Sequence, residues 1–199
     1  MASLEKPYCT PGQYLDLERA APHKSEYLHG QIYAMAGASY EHNLLVANAL
    51  GELRNALRHS ECRAVANDLR VQVAATGMYT YPDVVVICGQ PQFADAALDT
   101  LLNPTVIVEV LSPSTELCDR GEKFAHYRRL PSLADYVLIA QDKRRVEHYV
   151  RQDRQWVLTV QEETTDTLAF ASAPCALSLA SLYENINFSP QESLENPHV

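Results

Sequence analysis

Three short runs of apolar residues limit the fold of this chain more than any other feature of its sequence. They are PDVVVIC at 82–88, VIVEVL at 106–111 and ADYVLIA at 134–140. Apolar residues at consecutive rather than alternate positions are typical of strands that are covered on both faces. The chain is therefore expected to form a central sheet with helices packed on both sides.

Shorter patterns in the first third of the chain add elements around these strands. Residues 13–19, QYLDLER, predict a short helix, and residues 25–35, SEYLHGQIYAM, predict a hairpin that turns at His29-Gly30. Leucines and alanines recur at helical spacing over residues 41–58, which predicts a long amphipathic helix.

The second half of the chain continues this alternation of helix and strand. Asp119 and Glu122 resemble a capping box that opens a helix over DRGEKFAHYRRL. Two strand-like segments on either side of Asp153 predict a hairpin at the edge of the sheet. These elements favour an α/β fold with a mixed sheet of α+β character that is flanked by helices. An N-terminal hairpin and a C-terminal edge hairpin complete the expected fold. We expect one domain over residues 1–188 and a disordered tail over residues 189–199.

Composition narrows the function classes. The net charge of −9 argues against a protein that coats nucleic acid by bulk attraction, although residues 120–154 are locally basic. The N-terminus lacks the apolar stretch of a signal peptide and no run approaches ~20 apolar residues, so we expect a cytoplasmic protein without a membrane contact. The five cysteines are scattered, which predicts reduced thiols and neither a zinc site nor a disulfide framework.

One charged residue interrupts the second apolar run. Glu109 lies inside VIVEVL, where an ionised carboxylate is costly unless it is paired or coordinates a cation. Asp83 opens the preceding run directly after Pro82. If the two strands are neighbours, these carboxylates converge and could hold Mg²⁺ or Mn²⁺. Asp83 could equally mark a strand end that meets solvent or an arginine.

A lysine follows on the next predicted helix. Lys123 shares a helix face with Tyr127 and Leu130, so it lies on or beside the face that packs on the sheet. An ammonium group there could orient a water or stabilise charge on a phosphate. The alternative is a lysine that extends its head group to the surface.

The segments YPDVVVI and VIVEVLSPSTELCDRGEKFAHYRRLPSLADYVLI resemble the Uma-two family of the PD-(D/E)XK nuclease superfamily. The resemblance extends from about Tyr14 to Tyr183. It implies a restriction-endonuclease-like fold and metal-dependent hydrolysis of DNA, with Mg²⁺ or Mn²⁺ as the cofactor.

Carried over to this sequence, the resemblance makes Asp83 and Glu109 the metal-binding carboxylates, with the main-chain carbonyl of Val110 as a further ligand. Lys123 becomes the catalytic lysine. The resemblance also makes Asp119 and Tyr127 residues that support the helix of Lys123.

Three further positions qualify this assignment. Glu26 and His42 match positions that the family favours, Glu26 as an additional acidic ligand and His42 as a contact to phosphate or an aid to proton transfer. Leu111 stands where the superfamily motif usually has its lysine, two residues after the acid. Lys123 can replace that lysine only if its helix packs back across the carboxylates.

The resemblance thus implies a metal-dependent endonuclease acting on DNA. The alternative is a catalytically weak scaffold of the same fold that serves as an oligomeric interaction module or a DNA-binding module. A homodimer is expected because a duplex has two strands to cut and the edge hairpin invites pairing. A hydrolase with a serine or cysteine nucleophile has little support, since no G-x-S-x-G motif is present.

Overall fold

The computed structural model describes residues 8–188. The helical segments within this range are α1 Pro11–Ala20, α2 Tyr40–Ala56, α3 Glu116–Cys118, a π-helical turn Asp119–Lys123, α4 Phe124–Tyr127 and α5 Leu179–Leu182. The strands are β1 Ser25–Leu28, β2 Gln31–Ala34, β3 Cys62–Ala66, β4 Arg70–Val73, β5 Met78–Thr80, β6 Val84–Cys88, β7 Thr100–Leu101, β8 Val106–Leu111, β9 Asp135–Ala140, β10 Val146–Gln152, β11 Gln155–Gln161, β12 Thr167–Ala169 and β13 Ala176–Ser178. The expected disordered tail at 189–199 lies outside the described residues.

The larger sheet has the strand order β11-β10-β9-β8-β6-β3. Strands β8 and β9 are parallel and the other neighbours are antiparallel. The three apolar runs form β6, β8 and β9 at its centre, and the predicted hairpin around Asp153 forms β10 and β11 at one end. The prediction of a mixed sheet flanked by helices is confirmed.

Both faces of this sheet are covered. Helix α2 packs Leu45, Leu53 and its other apolar residues against the face that carries Val84 and Val108. The helical segment from Glu116 to Tyr127 covers the opposite face, which carries the odd-numbered residues of β8 such as Ile107. Removing a leucine or valine side chain from water contributes about 1.5–3 kcal/mol, so this two-sided burial explains why the central strands have no polar face.

A second sheet has the order β2-β1-β5-β4-β7, and its strands β4, β5 and β7 pack against the face of the first sheet that carries Ile107. The predicted hairpin forms β1 and β2, with positive φ angles of 49° at His29 and 84° at Gly30 in its turn. Two consecutive positive φ angles match the twist of the strands and explain the glycine at this position. Helix α1 rests on this sheet through Tyr14, whose ring stacks on Tyr27.

Two predictions are wrong. Asp119 does not open a helix, because helical structure already begins at Glu116 and passes through Asp119 in the π-helical turn. Cys62 and Cys88 are not reduced thiols: the antiparallel register of β3 and β6 places them opposite one another, and they form a disulfide. Pairing of this kind depends on strand register, which cysteine spacing does not reveal.

Candidate active site

The two strand carboxylates meet where β6 begins and β8 approaches its end. Val84 is paired with Val108, so Asp83 and Glu109 are opposite one another in the antiparallel register. The amide of Val110 donates to Asp83 Oδ2 at 2.7 Å, and the amide of Asp83 donates to Glu109 Oε2 at 3.3 Å. Each carboxylate is thus held by the main chain of the other strand.

Lys123 reaches these carboxylates from the helical segment. Its Nζ lies 3.2 Å from Glu26 Oε1, 3.3 Å from Asp119 Oδ1 and 3.5 Å from Glu109 Oε1. Asp119 is one helical turn before Lys123, and Glu26 comes from β1 of the second sheet. Residues far apart in sequence therefore converge on one ammonium group.

Hydroxyl groups of neighbouring side chains donate hydrogen bonds to the same acidic residues. Tyr127 Oη donates to Glu109 Oε1 at 2.8 Å, and Thr80 Oγ1 donates to Glu26 Oε1. The hydroxyls of Thr80 and Tyr127 lie 3.2 Å apart, and Tyr136 Oη donates to the main-chain oxygen of Asp119 at 2.9 Å. Sequence reasoning missed Thr80 and Tyr136. The available signal was a hydroxyl inside a strand that is otherwise buried.

His42, in the first turn of helix α2, contacts Asp83. The hydroxyl oxygen of Ser39 accepts a hydrogen bond from the amide of His42 at 3.1 Å and so caps the N-terminus of α2. This cap fixes the first helical turn, which carries His42. The ring Nε2 lies 3.3 Å from Asp83 Oδ2, while Nδ1 is buried without a hydrogen-bond partner among the described residues. Burial opposes protonation of this ring, yet the hydrogen bond and charge of Asp83 raise the pKa of His42.

Burial and charge act in opposite directions at the centre of the cluster. The side chains of Glu109 and Asp119 are only 5% and 3% exposed, and burial raises the pKa of both carboxyls. Burial also opposes the charge of Lys123, but Glu109, Glu26 and Asp119 together raise its pKa well above the ordinary value. Lys123 is accordingly the fixed positive charge of the site.

Leu111, in the position where the superfamily motif has its lysine, is 4% exposed and packs among the apolar residues under the helical segment. Strand β8 therefore places no ammonium group beside the carboxylates at this position. The helical segment packs back across the strands and offers Lys123 to Glu109 instead.

The donor set fits a hard divalent cation. Three carboxylates (Glu26, Glu109 and Asp119) contact Lys123, and a fourth, Asp83, contacts His42, so the carboxylates outnumber the ammonium group of the cluster. Carboxylate and carbonyl oxygens are the ligands that Mg²⁺ and Mn²⁺ prefer. Within residues 8–188, no group of three or more His, Cys, Asp or Glu side chains is placed so that it could hold a metal ion. The fit therefore rests on the two opposed strand carboxylates and the main-chain oxygen of Val110.

A mixed sheet flanked by helices, with paired strand carboxylates and a lysine on the helix that follows, defines a nuclease-like α+β domain. Residues 11–181 match the model of the Uma2 (Uma-two) family, whose description is "Putative restriction endonuclease". Since this match covers most of the chain, the protein belongs to the Uma2 family.

The chain is also similar to two proteins of Synechocystis sp. and to one solved structure. The "Uncharacterized protein sll1609" of Synechocystis sp. is 41% identical over 151 residues, which cover 75% of this chain and 85% of that protein. The "Uncharacterized protein slr1290" of the same organism is 34% identical over 182 residues, which cover 92% and 95%. A crystal structure from Anabaena variabilis, described as "a putative nuclease belonging to DUF820", has a TM-score of 0.71 at 19% identity and covers 87% of this chain and 97% of that one. The fold is thus shared with that nuclease-like protein.

None of the helices in the described part of the chain is both long enough and apolar enough to span a bilayer.

Proposed function

We propose that this domain is a metal-dependent endonuclease that hydrolyses phosphodiester bonds of DNA with Mg²⁺ or Mn²⁺. The observation that carries this proposal is the convergence of Asp83, Glu109 and Lys123 from two strands and a helix. Glu109 is buried and Asp83 is 19% exposed, and the one ammonium group beside them does not balance all the carboxylates of the cluster. Membership in a family described as "Putative restriction endonuclease" supports the same reaction class.

Asp83, Glu109 and the main-chain oxygen of Val110 would hold the cation. When bound, such a cation lowers the pKa of a coordinated water and offsets negative charge on the phosphate. The hydrogen bonds from the amides of Val110 and Asp83 keep the two carboxylates in place before any ligand arrives. This preorganisation lowers the entropic cost of assembling the site.

Lys123 would act on the reacting phosphate or on the attacking water. Its pKa is raised by the surrounding acids, so it acts as a hydrogen-bond donor and a positive charge rather than as a base. Asp119 and Glu26 hold the ammonium group at 3.3 and 3.2 Å, and Tyr127 fixes Glu109. In this proposal Asp119 and Tyr127 are positioning residues.

Glu26 and His42 take secondary roles. Glu26 already accepts from Thr80 and contacts Lys123, which favours a part in fixing the lysine over a part as an independent ligand. The contact of His42 with Asp83 raises the pKa of its ring, which favours a role as a hydrogen-bond or proton donor to a phosphate oxygen.

The test is cleavage of supercoiled plasmid, linear duplex and single-stranded DNA in Mg²⁺ or Mn²⁺. Glu109→Gln should lower the cleavage rate by at least about a hundredfold, and Lys123→Met should lower kcat more than it raises KM. Glu122→Gln removes an exposed carboxylate next to Lys123 and is the matched control, with an unchanged rate. Equal rates for the wild type and Glu109→Gln would refute the proposed role of this carboxylate.

A second candidate function is a DNA-binding or interaction module of the same fold with little catalytic activity. The buried Leu111 at the usual lysine position favours it. DNA retention without hydrolysis in either metal, unaffected by Glu109→Gln, would establish this alternative.

A further inference from the structure

Strand β11 is an exposed edge that lacks the usual protection against pairing. The order of the six-stranded sheet ends at β11, and its seven residues, QWVLTVQ, include no charged residue and no proline. Val157, Leu158 and Val160 are 37%, 45% and 42% exposed. A long, uncharged, apolar edge strand is a template for pairing with another strand.

The direction of the free main-chain groups follows from the neighbouring strand. The amide of Arg151 donates to the carbonyl of Ala134, and the amide of Ala140 donates to the carbonyl of Arg145. Odd-numbered residues of β10 thus point their main-chain groups at β9, and even-numbered ones point at β11. Through the register of β10 with β11, the groups on the outer edge belong to Trp156, Leu158 and Val160.

We propose that β11 pairs with β11 of a second copy of this chain, antiparallel and centred on Leu158. In this register Gln155 faces Gln161, Trp156 faces Val160, and Leu158 faces its own counterpart. The three outward residues of each strand exchange all their free amides and carbonyls. The strand is therefore complementary to itself in both hydrogen bonding and apolar character.

The residues that flank the strand extend this complementarity. Pairing centred on Leu158 brings Arg154 opposite the partner subunit's Glu162 at both ends of the interface. Arg154 is exposed in the β10–β11 turn, and the side chain of Glu162 is 54% exposed beside Arg145. Opposite charges at matching positions favour a second copy of this chain over an unrelated strand.

If the domain is a nuclease, as proposed above, this dimer places its two active sites on the same side of the assembly. Glu109 and Leu158 point to the same face of the sheet, since Ile107 and Tyr149, their neighbours on that face, pack there. The twofold axis that relates the two antiparallel strands is perpendicular to the plane of the sheet, so both sites lie on the same face of the combined sheet. Seven strand spacings would separate them by about 34 Å, which is close to one turn of duplex DNA.

The first test is the mass in solution, by sedimentation and light scattering. The wild type is expected to be a dimer. Leu158→Lys, which would place two ammonium groups face to face, should raise the dissociation constant by at least about tenfold. Ile32→Lys is the matched control, because Ile32 is 42% exposed on the edge strand of the other sheet, and it should remain dimeric. A monomeric wild type, or a dimer disrupted by Ile32→Lys and not by Leu158→Lys, would overturn the proposal.

The second test reads the register and does not depend on how well Leu158→Lys folds. Opposed residues of a hydrogen-bonded antiparallel pair have Cα atoms ~5.5 Å apart, within reach of a disulfide. Leu158→Cys should therefore form a 158–158 cross-link on mild oxidation, located by peptide mass spectrometry. Val157→Cys should not, because residue 157 faces residue 159 in this register. Absence of the 158–158 cross-link would refute the pairing, whereas the cleavage assays with Glu109→Gln test the nuclease proposal independently.

Discussion

Replacing Lys123 by methionine removes the ammonium group that contacts three carboxylates. Glu109 and Asp119 are then left as buried carboxyl groups without a counter-ion and with little access to water, since their side chains are only 5% and 3% exposed. Breaking a buried ion pair costs roughly 3–5 kcal/mol. The lower end applies here because Glu26 is 23% exposed and can regain water. We therefore expect Lys123→Met to lower the free energy of unfolding by about 3 kcal/mol at pH 9.

The same substitution should change the pH dependence of stability. Burial raises the pKa of Glu109 and of Asp119, and Lys123 opposes that rise. Without Lys123 both pKa values rise further above the unfolded values of about 4, so the folded variant binds more protons than its unfolded chain. Stability of the variant then increases as pH falls through these raised pKa values. The folded wild type also binds a proton at Glu109, with a pKa of about 8, so the deficit relative to wild type shrinks as pH falls to about 8 and changes little at Glu109 below that.

Urea unfolding at pH 9 and pH 7 in metal-free buffer measures both effects. A deficit of about 3 kcal/mol corresponds to a fall in Tm of roughly 6–12 °C for a domain of this size. Lys143→Met removes an exposed lysine and is the matched control, with unchanged stability. The double variant with Glu109→Gln should recover part of the loss. A deficit below about 1 kcal/mol, or one that is equal at both pH values, would refute this account of the cluster.

Three further perturbations test contacts around the site and the sheets. Tyr127→Phe removes the hydroxyl that donates to Glu109, so we expect a loss of about 1–2 kcal/mol in urea unfolding, and an unchanged midpoint would contradict that hydrogen bond. Reduction of the Cys62–Cys88 disulfide, whose cysteines are 26 residues apart, should cost about 3 kcal/mol, seen as a lower Tm in dithiothreitol that the Cys88→Ser variant does not show. Arg70→Met removes a buried guanidinium that is paired with a carboxylate and donates to two hydroxyls; a fall of about 3 kcal/mol in the free energy of unfolding is expected, and wild-type stability would exclude a structural role.

The central strands were predictable because two-sided burial leaves a direct mark on the sequence. PDVVVIC and VIVEVL have no polar face, and they became β6 and β8. These strands pair in antiparallel fashion, and their register places Asp83 opposite Glu109. Local sequence was sufficient to nominate both residues, and the pairing of their strands brought them together.

The second sheet and the helix before Lys123 were not predictable in the same way. The segment at 62–73 divides at Asn67, which has a φ of 58°, and its halves join different sheets. The π-helical turn at Asp119–Lys123 adds a residue to the turn without a distinctive sequence signal. Glu26 reaches the site only because β1 lies in the second sheet beside β5, a contact between segments far apart in the chain.

The most direct test of the central claim is a calorimetric titration of Mn²⁺ into the wild type and the Asp83→Asn variant. If Asp83 and Glu109 form a divalent-cation site, the wild type should show saturable binding that Asp83→Asn loses while it remains folded. Absence of binding in the wild type, or equal binding in both proteins, would contradict the assignment of these two carboxylates as the metal site.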